Sequence, residues 1–161
     1  MIHEMGHHMA GLADEYYSSS TSYEAPSIKV EPWEPNITAL LDKDNLKWKD
    51  LVEVGTPIPT PWNKEEFDKY EYEIQKERNA LRASKADESV VEDLFIRESK
   101  KQDELYAKEK YKDKVGAFEG AGYNQYGMYR SQLDCIMFTR HKVFCKVCQR
   151  SINQVIDEYT K

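Results

Sequence analysis

The first seventeen residues read MIHEMGHHMAGLADEYY (1–17) and contain the motif His3-Glu4-x-x-His7. Residues four apart share one face of a helix, so this spacing predicts that His3 and His7 present two imidazole nitrogens to one metal ion. Glu4 projects beside that ion and is predicted to be a general base. His8 is rotated off the shared face by about 100° and is predicted to be a bystander.

A third ligand is expected just after this helix, because a catalytic zinc ion takes three protein ligands and keeps one position open for water. Gly11 can adopt the left-handed conformation that ends a helix and turns the chain back toward the histidines. We therefore predict Asp14 as the third ligand, with the adjacent Glu15 as the open alternative. The predicted reaction is metal-assisted amide hydrolysis, in which Glu4 takes a proton from the attacking water and passes it to the leaving amine.

Composition excludes several other classes of protein. The chain has 161 residues, the length of one domain, and a net charge of −6. Its lysines are interleaved with glutamates, and it has neither a basic face nor a glycine-rich phosphate loop, so no nucleic-acid partner is expected. No apolar run approaches the length of a membrane span.

The segment HEMGHHMAGLADEYY resembles the active-site segment of the immunoglobulin A peptidase family, which comprises bacterial zinc metallopeptidases related to the metzincins. The resemblance continues through EPWEPNIT, KWKD, GTPIPTP, VGAFEGAGY, YRSQLDCIMF and FCKVCQ. It implies a secreted, periplasmic or cell-surface endopeptidase, with zinc (Zn2+) at His3, His7 and Asp14 and with Glu4 as base. It also implies a protein or peptide substrate, with host immunoglobulin A as the example.

The same resemblance assigns Met137 to the methionine turn that lies beneath the metal in metzincins. It further implies that a tyrosine hydroxyl steadies the oxyanion, and the residues leave Tyr123, Tyr126 and Tyr129 open for that role.

Three other polar or aromatic residues have two interpretations each. Glu119 is either a metal or substrate-amine contact or part of a structural salt bridge. Arg130 either binds a substrate carboxylate or forms a local pair. Trp33 either lines a substrate subsite or packs in the core, and the usual burial of tryptophan favours packing.

The cysteines follow the pattern C-x9-C-x2-C at Cys135, Cys145 and Cys148. In an exported protein this pattern favours one disulfide, from Cys135 to Cys148 or Cys145, with one spare thiol. The alternative is a zinc knuckle that His141 completes.

The expected fold is a mainly helical α+β chain, 1–161, forming one metzincin-like catalytic domain that lacks its N-terminal sheet. Only Met1 and Ile2 precede the motif, so we expect the chain to be the C-terminal part of a larger domain and to be weakly active alone. Residues 63–112 are predicted to insert an αα-hairpin with caps at Asn63 and Ser84.

Smaller elements are also predicted. Leu51-Val52-Glu53-Val54 is typical of a short strand, the glycine-rich stretch 115–123 is typical of a loop, and the chain closes with an amphipathic helix. The alternative function for the whole chain is a catalytically inactive fragment or protein-binding module that keeps the peptidase scaffold.

Overall fold

The structure is a computed structural model that describes residues 2–17, 29–139 and 143–161. Among these residues lie α1 (Ile2–Ala10), β1 (Ile37–Thr38), a 3-10 helix (Lys49–Leu51), α2 (Lys64–Ala83), α3 (Glu88–Ala107), β2 (Phe118–Ala121), β3 (Asn124–Arg130) and α4 (Lys146–Tyr159). The expected mainly helical α+β class is confirmed. His141, the alternative knuckle ligand, lies outside the described residues. In the described part of the chain, no helix has the length and apolarity needed to cross a membrane.

The chain divides into two compact units, Met1–Pro61 with Tyr111–Lys161, and Trp62–Lys110. The first unit contains an antiparallel sheet with the strand order β1-β3-β2. Arg130 of β3 pairs with Ile37 on one side and with Phe118 on the other. Large side chains that are fully buried around this sheet include Tyr17, Trp48, Phe118, Leu133 and Met137.

The glycine-rich stretch expected to be a loop contains strand β2 and the turn that connects β2 to β3 in a β-hairpin. The pairing is irregular between Glu119 and Ala121, and Gly120 has a φ of +100°. A Cβ atom on Gly120 would lie 2.3 Å from Cε1 of the buried Tyr17 ring. The glycine therefore permits both the bulge and the ring packing, and it interrupts the alternating pattern by which a strand is recognised in sequence.

The short strand predicted at residues 51–54 is wrong. Lys49–Leu51 is a 3-10 helix, and the side chain of Val54 is exposed. The nearby Trp48 is fully buried and its indole Nε1 donates to the Gly116 carbonyl oxygen at 2.7 Å. Burial of this one large ring anchors the segment to the core, so the aliphatic residues after it need no sheet partner.

The second unit contains the two predicted helices, α2 and α3. Asn63 caps α2 as predicted, because its side chain accepts from the Glu66 amide at 3.4 Å. The predicted cap at Ser84 is wrong, because Ser84 is the C-cap of α2 and Asp87 precedes α3 without a side-chain cap bond.

The contact between α2 and α3 contains buried polar side chains as well as apolar ones. Glu71, Glu98 and Gln102 are buried with the apolar residues Phe67, Ile74, Leu94 and Leu105. Gln102 Nε2 donates to Glu71 Oε1 at 2.8 Å, and Arg78 Nη2 donates to both Glu98 oxygens at 2.8 and 2.7 Å. Polar residues can occupy these positions because each finds a partner across the hairpin.

The predicted terminal helix is present as α4. Val147, Cys148 and Ser151 are buried, whereas Ile156 and Tyr159 are exposed. The buried face is thus confined to the first half of α4, which packs against α1.

Candidate active site

Helix α1 places the two histidines one turn apart, with 4.8 Å between their ring centroids and 3.1 Å between their Nε2 atoms. The helix ends as predicted, because Gly11 has a φ of +59°. The Leu12 amide donates back to the Gly6 carbonyl oxygen at 3.3 Å. This left-handed glycine cap reverses the chain direction and returns it toward His3 and His7.

Asp14 reaches the histidines on the returning segment. Its Oδ1 atom lies 2.9 Å from His3 Nε2 and 3.2 Å from His7 Nε2. The next residue, Glu15, is fully buried and lies with the cysteines. Successive side chains of an extended segment point to opposite sides, and the geometry therefore brings Asp14, not Glu15, to the histidines.

The tautomers of both histidines are fixed by backbone carbonyl groups. His3 Nδ1 lies 2.8 Å from the Ile136 oxygen, and His7 Nδ1 lies 2.6 Å from the Leu12 oxygen. A carbonyl oxygen only accepts, so each Nδ1 carries a proton, and in that tautomer each ring directs an Nε2 lone pair into the site. Two lone pairs and a carboxylate oxygen that converge in this way fit a divalent cation, with the carbonyl groups orienting the ligands.

Met137 lies beneath α1 at the level of the histidines. Its side chain is fully buried, and its carbonyl oxygen accepts from the Glu15 amide at 2.8 Å. A Cβ atom on Gly6 would lie 3.0 Å from Met137 Sδ. Gly6, which the sequence interpretation did not single out, therefore lets this turn approach the helix closely.

Two tyrosines complete the site, and only one of them belongs to the expected trio. The Tyr123 hydroxyl donates to Asp14 Oδ2, the oxygen that faces away from the histidines. The Tyr16 hydroxyl lies 3.0 Å from that of Tyr123, and the Tyr16 ring stacks on His3 with 6.4 Å between centroids. Burial and the hydrogen bond to Asp14 raise the pKa of Tyr123 far above its ordinary value, so its hydroxyl stays protonated as a donor.

The other two members of the trio lie on β3 in different surroundings. Tyr126 has 62% of its side chain exposed. Burial and the neighbouring Glu119 carboxylate raise the pKa of Tyr129. The sequence offers one signal for Tyr16. Alternate residues of an extended segment point to the same side, and Tyr16 is two residues after Asp14.

Glu4 lies on the exposed face of α1, next to His3. Burial is the largest cause of the raised pKa of Tyr16, and the charges of Asp14 and Glu4 add to it. Like Glu4, His8 is exposed, and it lies outside the cluster of ligand atoms.

Asn36, a residue missed by the sequence interpretation, holds the returning segment in place. Its Oδ1 accepts from the Ala13 amide at 2.8 Å, and its Nδ2 donates to the Ala13 oxygen and to Glu15 Oε1, both at 2.9 Å. The residue is fully buried. One side-chain amide thus replaces a neighbouring strand at this point.

The remaining candidates are Arg130 and Glu119, which have structural roles, and Trp33, whose ring is exposed. Arg130 is fully buried and donates to the Gly120 carbonyl oxygen at 2.7 Å, so it supports the hairpin. Glu119 Oε1 accepts from the Gly127 amide at 3.0 Å. Trp33 is 77% exposed, so its predicted burial is wrong. Its ring packs against the cap at Gly11, where a Cβ atom would lie 2.8 Å from Trp33 Cζ3.

Two imidazoles and one carboxylate around a single point are a donor set that hydrolytic metal sites use. A family model described as IgA Peptidase M64 matches residues 1–156 of the chain. The chain therefore belongs to the IgA peptidase M64 family, which confirms the resemblance and places it among peptidases. A search of curated proteins gave no match.

Proposed function

We propose that the chain forms the metal site of a zinc-dependent endopeptidase, in which His3, His7 and Asp14 hold the ion. The observation that carries this proposal is the convergence of two Nε2 lone pairs and Asp14 Oδ1, each 2.9–3.2 Å from the next. Family membership supports hydrolysis of peptide bonds as the reaction. The chemistry that zinc supplies in such a site is Lewis-acid activation of a water molecule.

The roles of the chain's own residues follow from their positions. The carbonyl groups of Ile136 and Leu12 fix both imidazoles with Nε2 directed at the site. Glu4, on the solvent side of the same helix, accepts the proton of the attacking water and delivers it to the leaving amine. Its exposure suits this role because substrate must enter from solvent.

Tyr123 is a positioning residue in this proposal. Its hydroxyl occupies Asp14 Oδ2, which leaves Oδ1 directed at the histidines. Met137, buried beneath α1 and hydrogen-bonded through its carbonyl group to Glu15, takes the place of the metzincin methionine turn. A metzincin-like catalytic domain is accordingly the fold we propose for the complete enzyme.

The substrate and location remain those implied by the resemblance. We propose a protein substrate, with immunoglobulin A as the first to test, and a secreted, periplasmic or cell-surface enzyme. The exposed ring of Trp33, which packs on the Gly11 cap, offers an apolar contact for a substrate side chain next to the site.

The test is Glu4→Gln in the full-length enzyme that contains this chain, assayed with immunoglobulin A and with casein as a general substrate. We expect kcat/KM to fall by about 10²–10⁴-fold because a general base is lost. Zinc content should stay the same, because Glu4 is outside the ligand set.

His8→Gln is the matched control, since His8 is an exposed residue of the same helix, and its activity should equal that of the unmodified chain. If Glu4→Gln cleaves as fast as the unmodified chain, the peptidase mechanism is wrong. A protein-binding module on a peptidase scaffold would then be the better description.

A further inference from the structure

A second cluster of potential ligands lies behind the returning segment. It consists of the thiols of Cys135, Cys145 and Cys148 and the carboxylate of Glu15, with ligand atoms that all lie within 4.8 Å of one another. All four residues are buried, and all three cysteines are free thiols. The disulfide expected from the sequence is therefore not formed in the structure.

The distances match the edges of a metal tetrahedron. The sulfurs of Cys135 and Cys148 are 3.7 Å apart, and Cys148 Sγ lies 3.7 Å from Glu15 Oε1. Four ligands around zinc, with Zn–S bonds of about 2.3 Å, give sulfur-to-sulfur edges of about 3.8 Å. An ion can therefore be placed among these atoms with little movement of the side chains.

The surroundings of the Glu15 carboxylate independently indicate that this cluster binds a cation. Its Oε1 accepts from Asn36 Nδ2 at 2.9 Å, but its Oε2 is buried and has no hydrogen-bond partner among the residues that the structure describes. A buried carboxylate oxygen without a partner is costly, and such groups usually pair with a cation or coordinate a metal. The surrounding thiols are the softest ligands that a protein offers, and thiolates select zinc among the common divalent ions.

The backbone and neighbouring side chains are arranged to support negative sulfur atoms. Cys145 and Cys148 belong to a C-x2-C motif at the N-terminus of α4, where helix amides face the sulfurs. The Cys145 amide donates to Cys135 Sγ at 3.2 Å, and the Cys148 amide donates to Cys145 Sγ at 3.5 Å. The Ser131 hydroxyl lies 3.3 Å from Cys145 Sγ.

We propose that Glu15, Cys135, Cys145 and Cys148 form a second zinc site, which is structural and distinct from the histidine site. Four protein ligands leave no open position for water, which is the arrangement of structural zinc sites. The ion joins the segment after α1, the turn before Met137 and the start of α4. Compared with the zinc knuckle considered from sequence, the fourth ligand is Glu15, a residue 120 positions or more away from the cysteines.

The test uses the double variant His3→Ala/His7→Ala of the full chain, purified under reducing conditions. Elemental analysis should find one zinc ion per chain in this variant and two in the unmodified chain. When cobalt(II) replaces the remaining zinc, intense thiolate-to-cobalt charge-transfer absorption should appear. This measurement needs no cysteine variant, so it holds even if substitution of the cysteines prevents folding.

Glu15→Gln in the same background keeps the side-chain size and the contact with Asn36 but removes the anionic ligand. We expect zinc affinity, measured by chelator competition, to fall at least about 10-fold. Ser151→Ala is the matched control, because the buried Ser151 hydroxyl donates to the Val147 carbonyl oxygen and is not one of the four ligands, so this variant should bind one ion with unchanged affinity.

Two results would overturn the proposal. One is a mass and thiol count showing a disulfide and a single free cysteine in the unmodified, unreduced chain. The other is a folded double variant with three titratable thiols that binds neither zinc nor cobalt. Neither result affects the histidine site, which is tested separately through Glu4.

Discussion

The Tyr123 hydroxyl donates a hydrogen bond to the Asp14 carboxylate, and this contact gives a first prediction. Tyr123→Phe removes the hydrogen bond to Asp14 Oδ2 and keeps the ring, including its edge contact with Tyr16. Loss of such an orienting partner typically lowers metal affinity by about 10–100-fold. Chelator competition on the purified chain measures this without any cleavage assay.

Tyr126→Phe is the control, since Tyr126 lies on the neighbouring strand with 62% of its side chain exposed. It should leave zinc affinity unchanged. If Tyr123→Phe lowered kcat but kept the zinc affinity of the unmodified chain, the hydroxyl would act on the oxyanion and not on Asp14.

Gly120 gives a second prediction at the scale of one residue. Gly120→Ala forces a φ of +100° on a residue with a Cβ atom and places that atom 2.3 Å from the buried Tyr17 ring. Strain and overpacking together should lower the free energy of unfolding by about 2–5 kcal/mol. Urea unfolding followed by tryptophan fluorescence measures the loss.

Gly55→Ala separates the two causes. Gly55 has a φ of +89°, but a Cβ atom added there would meet no atom of the described residues within 4 Å, so only backbone strain remains. Its cost should be about 1–3 kcal/mol, smaller than that of Gly120→Ala. Equal losses in both variants would show that the Tyr17 ring moves aside without cost.

The hairpin of α2 and α3 contains a titrating group, and this leads to a prediction at the scale of the element. Burial raises the pKa of Glu71 from 4.5 to about 7, with Gln102 donating to it and the charges of Glu98 and Arg78 nearby. Between these values the folded chain keeps a proton that the unfolded chain has released. The stabilisation is therefore complete below pH 4.5 and is lost as pH rises through about 7.

The size of this effect follows from the two pKa values, whose difference corresponds to roughly 3 kcal/mol. Glu71→Gln removes the titration and can keep the contact with Gln102. We expect this variant to be more stable than the unmodified chain at pH 8 and to lose that advantage below pH 4.5. Helical circular dichroism during urea unfolding at both pH values provides the comparison, and parallel pH profiles would contradict it.

The elements that could be predicted from sequence are those with a local cause. The α1 turn was predictable because Gly11 follows a histidine pair at helical spacing, and α2 and α3 were predictable from the cap at Asn63 and the long charged periodicity. The β2–β3 hairpin was not, because its bulge requires Gly120 where a strand pattern requires a side chain. Burial of Glu71 depends on a partner 31 residues away, which no local pattern records.

At the scale of the whole molecule, the two units allow a prediction about independence. The sheet and both ligand clusters lie within Met1–Pro61 and Tyr111–Lys161. Replacing Trp62–Lys110 with a short glycine-serine linker should therefore preserve zinc stoichiometry and the buried environment of Trp48. Elemental analysis and tryptophan fluorescence check this, and loss of bound zinc would show that the hairpin is needed for the fold.

The same deletion examines the role of the hairpin in substrate choice. Cleavage of immunoglobulin A that falls while cleavage of casein is retained would identify the hairpin as a selector of substrates. Unchanged cleavage of every substrate tested would mean that its charged surface is only solvated.

The candidate site was predictable from sequence only where its residues are close together in the chain. His3, His7 and Asp14 are close in sequence, and their meeting was predictable from one helix and one turn. Tyr123 is 109 residues away from its partner Asp14, and Asn36 is 23 residues away from its partner Ala13. Their roles required the tertiary structure, since contacts between distant segments depend on the packing of the whole unit.

Buried Asn36 also affects how the protein can be produced. It begins the triplet Asn36-Ile37-Thr38, which eukaryotic secretory cells recognise as an acceptor for N-linked sugar during translocation. Its amide nitrogen already donates to Ala13 and Glu15, so an oligosaccharide attached before folding would keep the segment that carries Asp14 from closing. Bacterial expression avoids this modification, whereas material secreted from yeast or mammalian cells should misfold unless oligosaccharide transfer is blocked.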